Sequence, residues 1–344
     1  SVAKSNFDRT TSTTEIRDIL LGYLRTEMAG LRKALSDLTI RARYTHAGVN
    51  PAMLYSAVAL DIPYLGHIHG PRANLASKFN QQSIRGRHMN HDVLMPGEVK
   101  VLENPEVPLV VTSTSGFTGL AHHPAGQNVI VAVACFEGEN QEDSLIFNRR
   151  SIEQGMFRYT RYYTETLSKD SDEMGIFGTE LYHRTVGKRG DLVFGRHDVI
   201  HSRDSRYRHI SRKGGLPKPG IFLNPRDCII AAYEGDIDRS IYVKEDGAGY
   251  VDRVTVTRNF AGNPAVKVRI KQVLEPVVGD KFATRHAQKA TIGRIVDAEE
   301  MPYVKGSGLR PDIIINPHCL PSRQTVGQVL EMVAAKVALL RGER

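Results

Sequence analysis

Residues 279–293 carry the densest chemistry in the chain. Between Gly279 and Lys289 lie four cations or potential cations, Lys281, Arg285, His286 and Lys289, opposed only by Asp280. Small residues and glycines surround them, so a bulky anion can approach the backbone closely. This density of positive charge suits a polyphosphate or a nucleic-acid backbone. It also suits a solvated surface loop, and the residues alone leave both readings open.

Carboxylates cluster at a second place. Residues 137–143, Glu-Gly-Glu-Asn-Gln-Glu-Asp, bring together Glu137, Glu139, Glu142 and Asp143 after an apolar run. Such a loop either coordinates a hard cation or forms a solvated turn. Asp236 and Asp238, two residues apart, read as an ordinary turn. Two arginines, Arg72 and Arg323, follow a proline within two residues. The fixed proline φ limits where each guanidinium can point, which suits forked recognition of phosphate.

Other patterns are weak. The histidines of His67-Ile-His69 and His122-His123 have no partner at metal-ligand spacing. Gly306-Ser-Gly308 lacks a third glycine, and neither a Gly-x-Ser-x-Gly elbow nor a phosphate loop ending in Gly-Lys-Ser/Thr occurs. Cys135, Cys228 and Cys319 form no Cys-x-x-Cys pair and lie in or beside apolar runs, so reduced, buried thiols and no structural zinc are expected. The net charge of +8 and pI near 9.3 favour polyanionic partners. No run of about 18 apolar residues marks a membrane span.

The elements that must position these groups follow from periodicity. Thr13 or Thr14 caps a first helix with Ile16, Leu20, Tyr23, Leu24, Leu31 and Leu35 on its apolar side. A short helix is expected over 51–60, starting at Pro51. Residues 109–114 and 129–136 read as apolar strands, with further short strands over 228–232 and 251–257. Alternation over 265–273 places Val266, Val268 and Ile270 on one face and Lys267, Arg269 and Lys271 on the other. The charged run 203–213 reads as an exposed loop. Residues 312–317 read as a buried strand ended by proline. Thr325 and Gln328 read as a capping box for a last helix with Val326, Val329, Val333, Val337 and Leu340 on one stripe. The pattern is α+β.

Taken in order, these segments resemble the second-largest subunit of multisubunit DNA-directed RNA polymerases, called beta in bacteria. Gly-Asp-Lys-Phe-Ala-Thr-Arg-His-Ala-Gln-Lys-Ala (279–290) is similar to that family's Gly-Asp-Lys-Phe-x-x-Arg-His-Gly-Gln-Lys-Gly. Glu300-Met-Pro-Tyr303 and residues 311–323 continue the block, while 126–143 resemble its strand and acidic loop. Residues 45–65 with Pro71-Arg72 resemble its fork region. The wording is nearest to eukaryotic, archaeal and large-DNA-virus versions.

The resemblance implies a double-psi β-barrel hybrid-binding core with a mostly β wall- or flap-like insertion and flanking helices. It divides the chain into an N-terminal helical segment (1–45), the fork and first barrel part with the acidic loop (46–159), the insertion (160–262) and the second barrel part with the lysine motif (263–344). It implies that Asp143, with Glu142, lies near a substrate-borne Mg²⁺. It also implies that Lys281 and Lys289 face the RNA 3′ end and the nucleotide phosphates, that Arg72 and Arg323 neutralise the triphosphate, and that Gln82 lies beside the hybrid. Ala287 and Ala290 stand where the family has glycines, and Gln81 where it has lysine.

The Asp-x-Asp-x-Asp triad for the primary Mg²⁺ is absent here and belongs to the largest subunit in this family. The implied partners are therefore that subunit, chains carrying the remaining beta-like segments, assembly subunits, DNA template, RNA and nucleoside triphosphates, in a cytoplasmic or nuclear setting without a membrane. A split subunit or a fragment is expected, active only in complex. The alternative is a non-catalytic relative that binds nucleic acid or scaffolds assembly.

Overall fold

A computed structural model describes residues 22, 24–30, 54–119, 122–168, 192–196, 204–211, 214–234, 236–259, 262 and 264–342. The chain divides into two compact units, Ser1–Leu60 and Asp61–Arg344.

In the first unit, residues 24–30 are helical and the Thr26 hydroxyl donates to the Gly22 carbonyl at 3.0 Å. Thr13, Thr14, Ile16, Leu20, Tyr23, Leu31 and Leu35 of the expected first helix lie outside the described residues. The α-helix expected over 51–60 is not formed across 54–60, where turns lead into a short 3₁₀ helix, Ala59–Asp61. There the Ser56 hydroxyl takes the Ala59 N–H at 3.2 Å, a local bond that competes with helix.

Among the described residues, the second unit contains two five-stranded sheets, one three-stranded sheet and one two-stranded sheet. Its strands are β1 (Glu98–Leu102), β2 (Val131–Val133), β3 (Ser144–Asn148), β4 (Tyr159–Ser168), β5 (Leu192–Phe194), β6 (Phe222–Leu223), β7 (Cys228–Ile230), β8 (Ala232–Glu234), β9 (Ile237–Asp238), β10 (Ile241–Tyr242), β11 (Gly249–Arg258), β12 (Pro264–Leu274), β13 (Lys281–Ala283), β14 (Lys289–Val296) and β15 (Ile313–Ile315). The first sheet, in the order β1-β4-β12-β11-β6, is antiparallel throughout. Val266, Val268 and Ile270 of β12 are buried, as alternation predicts, and share a core with Leu167, Leu223, Ile229, Ile230 and Val251. The opposite face is not a free basic stripe. Arg269 is buried, paired with Asp252 at 2.6 Å and donating to the His91 carbonyl at 2.9 Å.

The second sheet, β13-β14-β3-β15-β2, is mixed. β14 pairs with β3 and β15 with β2 in parallel, while β13 with β14 and β15 with β3 are antiparallel. Central β3 is buried on both faces, with Leu145 and Phe147 in one cluster and Ile146 in another beside Val296, Met301 and Ile314. A strand covered on both sides reads as an unbroken apolar run, and Leu145-Ile-Phe147 does. The described pairings leave both sheets open, and the architecture is α+β.

Several local expectations fail for identifiable reasons. Residues 109–114 make no strand, because side chains take their backbone groups: Asn128 accepts the Leu109 N–H at 3.1 Å and Arg285 donates to the Val110 carbonyl at 2.8 Å. The 129–136 strand is reduced to β2, because Asn140 takes the Phe136 N–H at 3.1 Å and donates to the Ala134 carbonyl at 2.7 Å. The described part of the charged run 203–213, residues 204–211, is anchored rather than wholly exposed. Its Tyr207 and Ile210 are buried against Cys228 and Ala231, and Arg208 pairs with Asp227. Cys135 is exposed, contrary to the buried thiol expected, while Cys228 is buried.

The last helix, Val326–Arg341, is present but turned over. Val326, Val329, Val333, Val337 and Leu340 are exposed, while Gly327 and Gln328 are buried. Thr325 makes no side-chain cap; its hydroxyl receives the Gln288 amide instead, and Gln328 accepts from Thr284 at 3.3 Å.

Candidate functional site

The lysines stand on a hairpin whose register follows from its two-residue alternation. Lys281 pairs with Thr291, Phe282 with Ala290 and Ala283 with Lys289. Lys281 and Lys289 therefore share one face as diagonal neighbours, roughly 7–8 Å apart at the backbone. On the other face Phe282 packs against Phe147 and Phe157, with ring centroids 5.0 and 4.9 Å away, and Ala290 joins the same core. The buried aromatic cluster holds both lysines outward. Both are exposed, and among the described residues neither has an ion-pair partner.

The connecting turn is closed by the Thr284 N–H donating to the Gln288 carbonyl at 3.1 Å and places Ala287 in the left-handed region at φ 60. Here the four basic residues of the motif separate. Arg285 and His286 point inward to Glu331 of the last helix, with His286 Nε2 2.6 Å from Glu331 Oε2 and Arg285 on the other carboxylate oxygen. Burial pushes the Glu331 carboxyl up, but the His286 hydrogen bond and the Arg285 charge outweigh it and hold the group below its ordinary value. Arg285 and His286 are thus structural, and the free positive charge is that of Lys281 and Lys289.

Both proline-flanked arginines reach this turn. Arg72 lies at the start of the Gly70–Gln82 helix, where Pro71 favours initiation, and donates to the Ala287 carbonyl at 3.1 Å across 215 residues of sequence. Arg323 ends the Cys319–Arg323 helix and donates to Gln288 Oε1 at 2.7 Å. Its other nitrogen binds the Asp143 carboxylate at 2.5 Å, and that hydrogen bond raises the Arg323 pKa further. Gln288 in turn donates to the Cys319 carbonyl at 3.1 Å. Consecutive residues, Ala287 and Gln288, therefore hold two guanidinium groups one step before Lys289.

The acidic loop divides. Glu139 and Glu137 lie 2.7 and 3.6 Å from Arg294, so they belong to a surface ion-pair group with Glu300. Glu142 is exposed, and Asp143 faces Arg323. Glu142 and Asp143 are consecutive left-handed residues, φ 49 and 70, a conformation that costs free energy and gathers at functional sites. The Thr291 N–H donates to the Asp143 carbonyl at 2.9 Å, and a bulge at Gly293 lets β14 lie close to Ser144. Among the described residues no three His, Cys, Asp or Glu groups gather as a metal site. Mg²⁺ takes six oxygens, so the Glu142–Asp143 pair fits only part of a shell that phosphates, water and other chains would complete.

Gln82 is exposed at the far end of the Gly70–Gln82 helix, roughly 15 Å along its axis from Arg72, and the fold does not bring it to the cluster. Asp238 accepts from the Tyr242 hydroxyl at 2.6 Å, a structural role. Gln288 and Glu331 are the residues that sequence reading missed. Gln288 stood inside the 279–290 motif without a role, and the one signal for Glu331 is a stripe of small and polar residues, Gly327, Glu331, Ala334 and Ala338, opposite the valines.

Two free lysines, two converging arginines and two strained carboxylates suit a polyanion held beside a divalent cation. The chain belongs to the RNA polymerase family described as Rpb2, domain 6, whose model matches residues 58–344. Relatives include the DNA-directed RNA polymerase subunit Rpo2 of Sulfolobus acidocaldarius, 32% identical over 90% of this chain and 28% of that protein. RNA polymerase II subunit RPB2 of Schizosaccharomyces pombe and RNA polymerase II subunit 2 of Arabidopsis thaliana are each 34% identical over 87% of this chain and 25% of the relative. The chain thus spans about a quarter of the length of the curated relatives it matches.

Proposed function

We propose that this chain forms part of the catalytic centre of a DNA-directed RNA polymerase and adds ribonucleotides to the RNA 3′ end only within a multisubunit complex. The carrying observation is the convergence of Arg72 and Arg323 on Ala287 and Gln288, adjoining Lys289. The reaction needs an in-line approach of the 3′-hydroxyl to the α-phosphate and neutralisation of the departing pyrophosphate, more than covalent help. Lys281 and Lys289 hold the RNA end and the nucleotide phosphates. Arg72 and Arg323 take up charge as the phosphoanhydride bond breaks. Bound Mg²⁺ supplies further neutralisation of phosphate oxygens, with Asp143 and Glu142 as this chain's ligands. Arg323 stands against Asp143, and it would be available to phosphate if Asp143 served as a ligand to the cation. Gln82 contacts the hybrid away from the reacting atoms.

The largest subunit supplies the aspartate triad, other chains carry the remaining beta-like segments, and the complex works on DNA template, RNA and nucleoside triphosphates inside the cell. Residues 46–159 and 263–344 are the two parts of a double-psi barrel, 160–262 the wall- or flap-like insertion and 1–45 an N-terminal helical segment. Two parallel pairs support the barrel reading, since β14 with β3 and β15 with β2 each join a strand of one part to a strand of the other. Among the described residues no helix is long and apolar enough to cross a membrane.

Lys289→Ala in the reconstituted complex is expected to slow nucleotide addition about tenfold or more, about 1.4 kcal/mol of barrier, with assembly intact. An unchanged rate would favour a non-catalytic scaffold and end the assignment.

A further inference from the structure

We propose that Glu331 is a positioning residue for the lysine hairpin, acting through Arg285 and His286; the inference rests on the proposed role of Lys289. Its two carboxylate oxygens hold consecutive residues of the turn, Oε1 taking Arg285 and Oε2 taking His286 at 2.6 Å, across 46 and 45 residues of sequence. That turn cannot rely on its own backbone preference, because Ala287 is an alanine in left-handed conformation. Only Ala287 and Gln288 separate His286 from Lys289, so a shift of the turn passes directly to the lysine.

Two further bonds at the start of the last helix hold the same turn. Thr284 donates to Gln328 at 3.3 Å, and Gln288 donates to the Thr325 hydroxyl at 2.5 Å. Gly327 permits the approach: a Cβ there would lie 2.9 Å from Ile68 Cγ2, 3.0 Å from the Tyr64 carbonyl and 3.2 Å from His286 Cε1. His286 is wholly buried and its Nδ1 has no partner, so Nε2 on Glu331 is its side-chain anchor. The helix therefore grips the turn by its polar side, and Lys289, whose side chain has no ion-pair partner among the described residues, takes its aim from that grip together with the hairpin's own pairing and packing.

The test is a double-mutant cycle on elongation by the reconstituted complex, using Glu331→Gln, which preserves shape, alongside Lys289→Ala. E331Q is expected to slow nucleotide addition about tenfold, the scale of a misplaced contact group. In the K289A background it is expected to add nothing, because both changes act through one side chain. Assembly is checked by size-exclusion chromatography, and Glu331→Asp, which keeps the charge, is expected to restore part of the rate. A full effect of E331Q in the K289A background would mark a general structural role and overturn the proposal. An unchanged rate in E331Q with a slowed K289A would overturn this inference alone. A normal rate in K289A would overturn the functional reading with it.

Discussion

Ala287 shows how one methyl group is weighed at the site. A left-handed alanine costs about 1–2 kcal/mol relative to an ordinary conformation. Replacement by glycine relieves that, but loses a buried methyl worth about 0.8 kcal/mol and loosens the unfolded chain by about 0.4–1 kcal/mol. Ala287→Gly is therefore expected to change stability by less than about 1 kcal/mol in urea unfolding. Ala287→Val adds β-branching at positive φ in a fully buried place and is expected to cost about 2 kcal/mol or more. Equal midpoints for the two variants would contradict the left-handed assignment. At Ala290, a strand position facing the core, no such strain arises and the methyl simply packs.

Glu331 makes a second prediction at this scale. Its folded pKa is depressed, so its contribution is fully present above the unfolded carboxyl value, about 4.3 for glutamate, and is lost as pH falls through the folded value. Unfolding midpoints measured from pH 6 downward should therefore fall less steeply for Glu331→Gln than for the parent chain below about pH 4.5. Parallel curves would show that Arg285 and His286 do not lower this carboxyl.

At the scale of elements, the last helix separates pattern from packing. Its valine stripe has the spacing of a core-facing side, yet Val333 is 59% exposed while Gln328 is 5% exposed. Val333→Glu should leave the stability of the chain within about 0.5 kcal/mol, as at other surface positions. Ile292→Ala in β14, where the side chain is 1% exposed, should cost about 2–5 kcal/mol. Thermal melts of the two variants decide the orientation of the helix, and a comparable loss in both would reverse it. Strand β12 behaved as alternation predicts on its apolar face. Its polar face did not stay open, because Arg269 is drawn into contacts with Asp252 and His91.

At the scale of the whole molecule, a net charge of +8 means that the proposed nucleic-acid binding should weaken with salt. Replacing Lys281 and Lys289 together by alanine should make the slope of log affinity against log salt shallower by about one to two, read by anisotropy with an RNA–DNA hybrid. An unchanged slope would place the bound backbone elsewhere. The sequence by itself determined the α+β class, the long strands β11 and β12 and the family, because alternation and ordered motifs are local properties; β4 and β14, comparably long, went unread. It also marked Arg72, Asp143, Lys281, Lys289 and Arg323 as chemistry-bearing residues. Only the tertiary structure decided which charges remain available. Arg285 and His286 lie in the same motif as the lysines, but Glu331, some 45 residues on, binds both, and Arg294 claims Glu137 and Glu139. The reason is physical: a charge is free or spent according to what lies within about 4 Å of it, and neighbours at that distance come from anywhere in the chain.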